Sequence, residues 1–438
     1  MPSPSLSKQL FQMTWPMMFG VLSLMSFQLV DSAFIGQLGI LPLAAQGFTM
    51  PLQMVIIGLQ VGLGIATTAV IARVLGAQQI KKAKQLAGLV LSLGAAMVFI
   101  MCLLIWFSRG LLLGLLGAEA NVFPIIDSYW PVWLASCWAG AMIYFAYSVC
   151  RANGDTKLPG LMMMATSILN MILDPIFIFQ FNLGLNGAAW ATIVSFTIGF
   201  CIILPPIFKR HWISFSWHDL NILQSIKELN AVMAPAMMSQ LLPPLSSMMA
   251  TKIIAGFGAA AVAGWAMASR IEFFAIVVVL ALTMSIPPMV GRMLGAKQFD
   301  EIQKLIKIAA KFVLCWQIGL AILLFIIAKP LASLLSTDSN VIDVIYHYLL
   351  WVPISLGSLG ICMLMVSTCN ALGVSMRALV ISILRLFICF LPMIWIGSNL
   401  FGLYGIFMGA LVGNSFAGFM AWVMYNQAIS KIQTDNQN

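Results

Sequence analysis

Apolar residues run along this chain in long blocks, separated by short stretches where glycine, lysine, arginine and asparagine gather. The blocks show no period-two alternation, so they predict helices rather than the strands of a membrane barrel. Twelve are visible, at 11–36, 43–72, 86–107, 122–148, 158–181, 187–208, 230–255, 260–290, 306–328, 341–367, 377–398 and 402–427. About 20 mostly apolar residues suffice for a helix to cross a bilayer. The pattern therefore predicts an all-α polytopic membrane protein with twelve transmembrane helices.

The pattern also repeats. ARVLGAQQIKKAKQL at 72–86 resembles GRMLGAKQFDEIQKL at 291–305, an offset of 219 in a chain of 438. The same offset pairs Pro16 with Pro235, Gly39 with Gly258 and Gly154 with Gly373, and aligns CRANG with CNALG. Two six-helix lobes are expected, an N-lobe at 1–208 and a C-lobe at 230–438, joined by a linker at 209–229. Six is even, so both lobes enter the membrane in the same direction. Parallel repeats imply a pseudo-twofold axis along the membrane normal and a cavity between the halves, an arrangement typical of transporters. A duplication kept only for folding is the alternative.

Charge supplies the orientation. With the N-terminus placed inside, seventeen of the 22 lysines and arginines fall on the inner side; only Arg109 and Lys329 fall on the outer side. By the positive-inside rule both termini are cytoplasmic. The same bias accounts for the net charge of +9 without nucleic acid. Charged residues make up 8% of the chain against about 25% in soluble domains, so its solvent is the bilayer. All eight cysteines lie in apolar segments without a CxxC pair, and the three histidines lack metal-ligand spacing. No cofactor is expected. The first apolar run is too long for a signal peptide and has no cleavage site, so it is expected to remain as a helix.

Against this background the charges within the spans carry the chemistry. A carboxylate in hydrocarbon costs about 2.5–3.5 kcal/mol even on the lenient insertion scale. Asp31, in SFQLVDSAFIGQLG, aligns with Ala250 in the repeat, and Asp174, in ILNMILDPIFIF, falls near Leu391. The fold thus does not require either acid. At 1.5 Å per residue, Asp31 lies about 30 Å along span 1 and Asp174 about 24 Å along span 5. Asn170 is one turn from Asp174 on the same face. Thr192 in span 6 and Tyr129 in span 4 come to the same outer level. Two carboxylates close together away from water should not both stay ionised. Such a pair holds a proton, or releases it and takes a cation. The plainer alternative places Asp31 near the headgroups, hydrated.

The C-lobe has charges of its own: Arg270 and Glu272 in ASRIEFF and Arg385 in SILRLFI. Residues two apart on a helix point to opposite sides, so Arg270 and Glu272 are not expected to pair. Glu272 is expected to pair with Arg385, with a cavity-lining arginine as the alternative. Asp155 and Glu228 are expected in loops, in water. Pro16 and Pro235 interrupt spans 1 and 7 at matching places, a static kink or a hinge. The 30 methionines suit an adaptable binding surface for varied apolar cations.

The ordered set WPMM, VDSAFIGQLG, RVLGA with RMLGA, RANGDTKLP and NMILDP resembles the multidrug and toxic compound extrusion (MATE) transporters, in particular their DinF-type bacterial branch, over essentially the whole chain. The resemblance implies two six-helix lobes in a V around a central cavity. It implies secondary antiport of small cationic or amphiphilic drugs for H⁺ or Na⁺, and through it antibiotic resistance. It places a monomer in the bacterial inner membrane. It implies a cation site made of Asp31, Asn170, Asp174, Ala188, Thr192 and Tyr129, where Na⁺ would meet Asp31, Asn170 and Asp174, and a first-helix bend at Pro16. The chain departs from the branch with an acid in span 7, where Lys252 stands instead; His347 is no obvious replacement. A lipid-linked saccharide flippase of the same superfamily is the runner-up. A membrane-embedded enzyme is not expected, because no nucleophile elbow, HExxH, Walker loop or acidic metal cluster is present.

Overall fold

The computed structural model describes residues 5–115 and 123–437. Among them every regular element is a helix, as hydrocarbon requires of an open chain: helices satisfy their own backbone groups. The first unit, Gln12–Met237, contains most of α1 (Leu6–Gly36), then α2 (Ile40–Gly76), α3 (Ile80–Phe107), the short α4 (Arg109–Leu115), α5 (Phe123–Ala152), α6 (Lys157–Pro175) and α7 (Leu185–Lys209). The second unit begins at Met238 and takes in the first turn of α1 up to Phe11. Its elements are the rest of α8 (Ile222–Ala255), then α9 (Ala259–Ala275), α10 (Val277–Gly295), α11 (Phe299–Leu335), α12 (Ser339–Trp351), α13 (Leu356–Ala371), α14 (Ser375–Ile383) and α15 (Leu391–Gln437). The chain passes between units inside α8.

The twelve expected spans all fall on these helices, with differences at three places. Ten described segments are long and apolar enough to cross a membrane by length and composition, and the last of them, Ser375–Thr434, is 60 residues long. It breaks at Phe401 and Gly402, where the backbone leaves helical angles, so it carries two expected spans. The span at 260–290 is divided at Ile276 into α9 and α10. α8 falls outside the ten; its polar residues, among them Lys227, Glu228 and Lys252, dilute its apolar ones.

The duplication is written into the backbone. Left-handed φ values recur at the same offset: Gly39 (108°) with Gly258 (101°), Gln78 (61°) with Lys297 (59°), and Gly154 (81°) with Gly373 (80°). Each pair ends or precedes equivalent helices, so turn geometry as well as sequence has been copied. A side chain at φ near 100° is strained, which explains glycine in both copies at the first of these turns.

The segment between α7 and α8 is strapped onto the first unit. The Ser214 N–H donates to the Lys84 carbonyl at 3.0 Å, and Gln85 Nε2 donates to the Ser216 carbonyl at 2.8 Å. Lys81 pairs with Asp219, Lys82 with Glu228 at 3.6 Å, and Arg210 with Asp155. Gly88 makes the close approach possible, since a Cβ there would lie 2.2 Å from the Ser214 carbonyl oxygen. Asp155 lies in the turn between α5 and α6, as expected, and is ion-paired with Arg210 of the linker. Glu228 is corrected: it lies within α8, not in a loop, and is paired with Lys82 at the basic end of α3.

Candidate functional site

Asp174 sits in the last turn of α6, followed by Pro175. Proline has no N–H to give to the carbonyl four residues earlier, and the chain loosens into a π-turn at Ile176–Gln180, closed by the Phe181 N–H donating to the Ile176 carbonyl at 2.9 Å. π-turns within helices are frequent at functional sites. α7 then starts directly against this turn. Gly187 allows it: a Cβ at that position would lie 2.6 Å from the Phe177 carbonyl carbon and 2.7 Å from the Ile178 nitrogen. The contact brings Ala188 and Thr192 of α7 against the end of α6.

There the side chains form a connected cluster. Asp174 and Asn170 are both fully buried. Both ends of the Asn170 amide are satisfied when its nitrogen donates to Asp174 Oδ2 at 3.0 Å and its oxygen accepts from Thr192 Oγ1 at 3.1 Å and from the Thr192 N–H at 3.2 Å. The Thr192 hydroxyl has one proton and a second acceptor, the Ala188 carbonyl at 3.0 Å. Ala188 thus contributes its backbone oxygen and a small, buried side chain. Tyr129 is buried, and Phe34, one turn beyond Asp31 on α1, meets Phe179 of the π-turn at 6.0 Å, which brings that part of α1 to the end of α6.

Asp31 is the loose member. It is half-buried, and its Oδ1 is enclosed without a hydrogen-bond partner among the described residues. A buried oxygen left without a donor costs about 1–3 kcal/mol, so a proton or a cation arriving here has something to satisfy. The donor set is carboxylate, amide and hydroxyl oxygen, hard ligands suited to H⁺ or to Na⁺. All six residues read from the sequence are therefore in or beside one cluster.

Pro16 is placed by packing rather than by a break. α1 runs unbroken through it and buries a narrow stripe at Thr14, Met17, Val21 and Met25. α6 touches α1 here: a Cβ on Gly160 would lie 2.5 Å from the Pro16 carbonyl oxygen, and one on Gly20 would lie 3.0 Å from the Gly160 carbonyl. Small residues permit this approach in membranes, where close van der Waals packing holds helices together.

In the second unit Glu272 and Arg385 line one cavity, while Arg270 is exposed and does not. Glu272 accepts a hydrogen bond from the Tyr348 hydroxyl. Among the described residues no ion pair within 4.0 Å joins it to Arg385. Tyr348 was not singled out in the sequence, although the offset of 219 from Tyr129 leads straight to it. His347 pairs with Asp343 at 3.3 Å, and Asp127 with Arg109 at 3.0 Å.

A duplicated, multi-pass helical membrane protein with a buried polar cluster between its helices is a membrane transporter in class. The chain belongs to the MatE family, whose profile matches residues 16–176 and again 235–396, once for each repeat. The resemblance read from the motifs is thereby borne out at the level of the family. Among solved structures it is similar to the Vibrio cholerae MATE transporter VcmN, with 61% identity and a TM-score of 0.96 over 97% of each chain, in an aspartate-to-asparagine mutant. It is also 29% identical to the FAD transporter of Shewanella oneidensis, over 96% of this chain and 95% of that protein. It is 24% identical to the multidrug export protein MepA of Staphylococcus aureus, over 95% and 93%.

Proposed function

We propose that this protein is a secondary antiporter that exports cationic amphiphilic compounds from a bacterial cell in exchange for protons. The observation that carries the reading is the enclosed, unpartnered Asp31 oxygen beside the Asp174–Asn170–Thr192 chain. Facing outward, the acids take a proton. The neutralised site loses its hold on a cationic substrate, which leaves. The lobes then rock inward, the proton escapes to the cytoplasm, and the charged site takes the next substrate. Na⁺ on Asp31, Asn170 and Asp174 is the alternative coupling ion. The protein works as a monomer in the inner membrane, termini inside, without a cofactor. The similarity to MepA, a multidrug export protein, supports drug export.

The likeness to an FAD transporter favours a second reading, in which the exported compound is a flavin. Nothing in the site favours the saccharide flippase, and the relatives are transporters rather than enzymes. Reconstitution in proteoliposomes with pH and Na⁺ gradients imposed separately tests the proposal. Ethidium movement is expected to follow the pH gradient and to be lost in Asp31→Asn and Asp174→Asn. Full gradient-driven transport by both variants would sink it.

A further inference from the structure

The second unit contains a cavity of about 320 Å³ that the acid cluster does not use. The repeat fixes its place. Ala250, Tyr348 and Asn414 on its wall stand 219 residues after Asp31, Tyr129 and Ser195. The cavity therefore corresponds, in its own unit, to the Asp31–Tyr129 side of the acid cluster; the counterparts of Asn170, Asp174, Ala188 and Thr192 do not line it. Ala250 makes that wall short and neutral where the first repeat has a carboxylate. The acid comes instead from Glu272, in the place of Gln53, and it is joined by Arg385, in the place of Thr166.

Glu272 accepts from Tyr348 and, as a carboxylate with about four acceptor sites, has capacity left. Arg385 is held on a second π-turn, Leu384–Phe390. A pair kept only for packing would be expected to close on itself, because an acid and a base that are half-buried and held apart forgo their mutual attraction. These two are not within 4.0 Å. They are best satisfied by a group that donates to one and accepts from the other through neighbouring atoms. Part of the wall is aromatic: Trp265, Phe273, Tyr348 and Phe390 stand among aliphatic residues and serines, and Trp265 meets Tyr348 edge-on at 5.1 Å.

We propose that this cavity binds a planar heteroaromatic ring with an imide or lactam edge, of which the flavin ring is the chemical type. The imide N–H donates to Glu272, the adjoining carbonyl accepts from Arg385, and the ring lies against the aromatic wall. The volume is at the small end of ligand pockets, enough for the ring system and not for a whole dinucleotide. The inference rests on reading the chain as an exporter, and it gives the flavin reading a site separate from Asp31 and Asp174. A permanent cation without such an edge gains nothing from Arg385 and is not a ligand here.

Riboflavin fluorescence falls when its ring stacks on tryptophan or tyrosine, so a quench titration of the purified full chain reads binding. Saturable binding is expected, weaker by about tenfold or more in Glu272→Leu and in Arg385→Met, and unchanged in Asp174→Asn. Riboflavin methylated on its imide nitrogen should bind wild type about tenfold less well, a comparison that needs no altered protein. No saturable binding, equal binding of the two flavins, or loss confined to Asp174→Asn would overturn the proposal. If riboflavin fails to bind while ethidium export still requires Asp174, the cavity assignment alone falls; if both fail, the exporter reading falls with it.

Discussion

Asn170 is the residue on which the first unit's cluster turns. It is the only described side chain that hydrogen-bonds both to Asp174 and to α7. Asn170→Leu keeps the volume but leaves the Asp174 carboxyl without its amide partner. A loss of about 1–3 kcal/mol is expected, read as a lowered thermal midpoint, together with loss of ethidium transport. Thr192→Val removes only the hydroxyl and should cost less on both counts. Equal stability of Asn170→Leu and wild type would show that the amide does not bind the cluster together. These residues were legible beforehand because carboxylates in apolar runs stand out and the repeat showed which of them the fold does without. What the sequence could not show is that Asp31 lacks a partner. That depends on sub-ångström placement of neighbours on other helices. Nor did it show that Glu272 turns to Tyr348 rather than to Arg385, since a helix pattern gives a residue's face and not its partner.

At the level of elements, the approach of α1 to α6 links the helix that carries Asp31 to the helix that carries Asp174. Pro16 leaves the carbonyl of Gln12 without a helical donor, and Gly160 gives that part of α1 a smooth surface to move against. Gly160→Ala places a methyl 2.5 Å from the Pro16 carbonyl oxygen, and backbone rather than a flexible side chain must yield. Transport should fall severely while the protein still inserts. Gly110→Ala, whose added Cβ meets nothing within 4 Å, should behave as wild type. Wild-type transport by Gly160→Ala would mean that this contact is not needed for function. The helices themselves were readable from blocks of apolar residues. The boundary at Phe401 was read as the gap between the last two spans, but the break at Ile276 and the two π-turns were not, because hydropathy records composition and is blind to one extra residue in a turn.

For the whole molecule, duplication followed by divergence is the theme. The two copies share turns and left-handed residues, yet one carries a cluster with two aspartates and the other a cavity lined by an acid and an arginine. The linker belongs physically to the first unit, strapped along α3. Gly88→Ala would push a methyl to 2.2 Å from the Ser214 carbonyl and lift that strap, so trypsin should cut at Lys209 and Arg210 faster than in wild type, in a digestion of the purified protein. Unchanged cleavage would mean that the strap holds without this close approach.

The central claim is that substrate and proton compete through the Asp31–Asp174 cluster, and linkage makes that competition reciprocal. Proton release on adding ethidium to the purified protein in weakly buffered solution, followed with a pH indicator, tests it most directly. Release is expected from wild type and none from Asp174→Asn. Binding of ethidium by wild type with no proton released, or with the same release from Asp174→Asn, would contradict it.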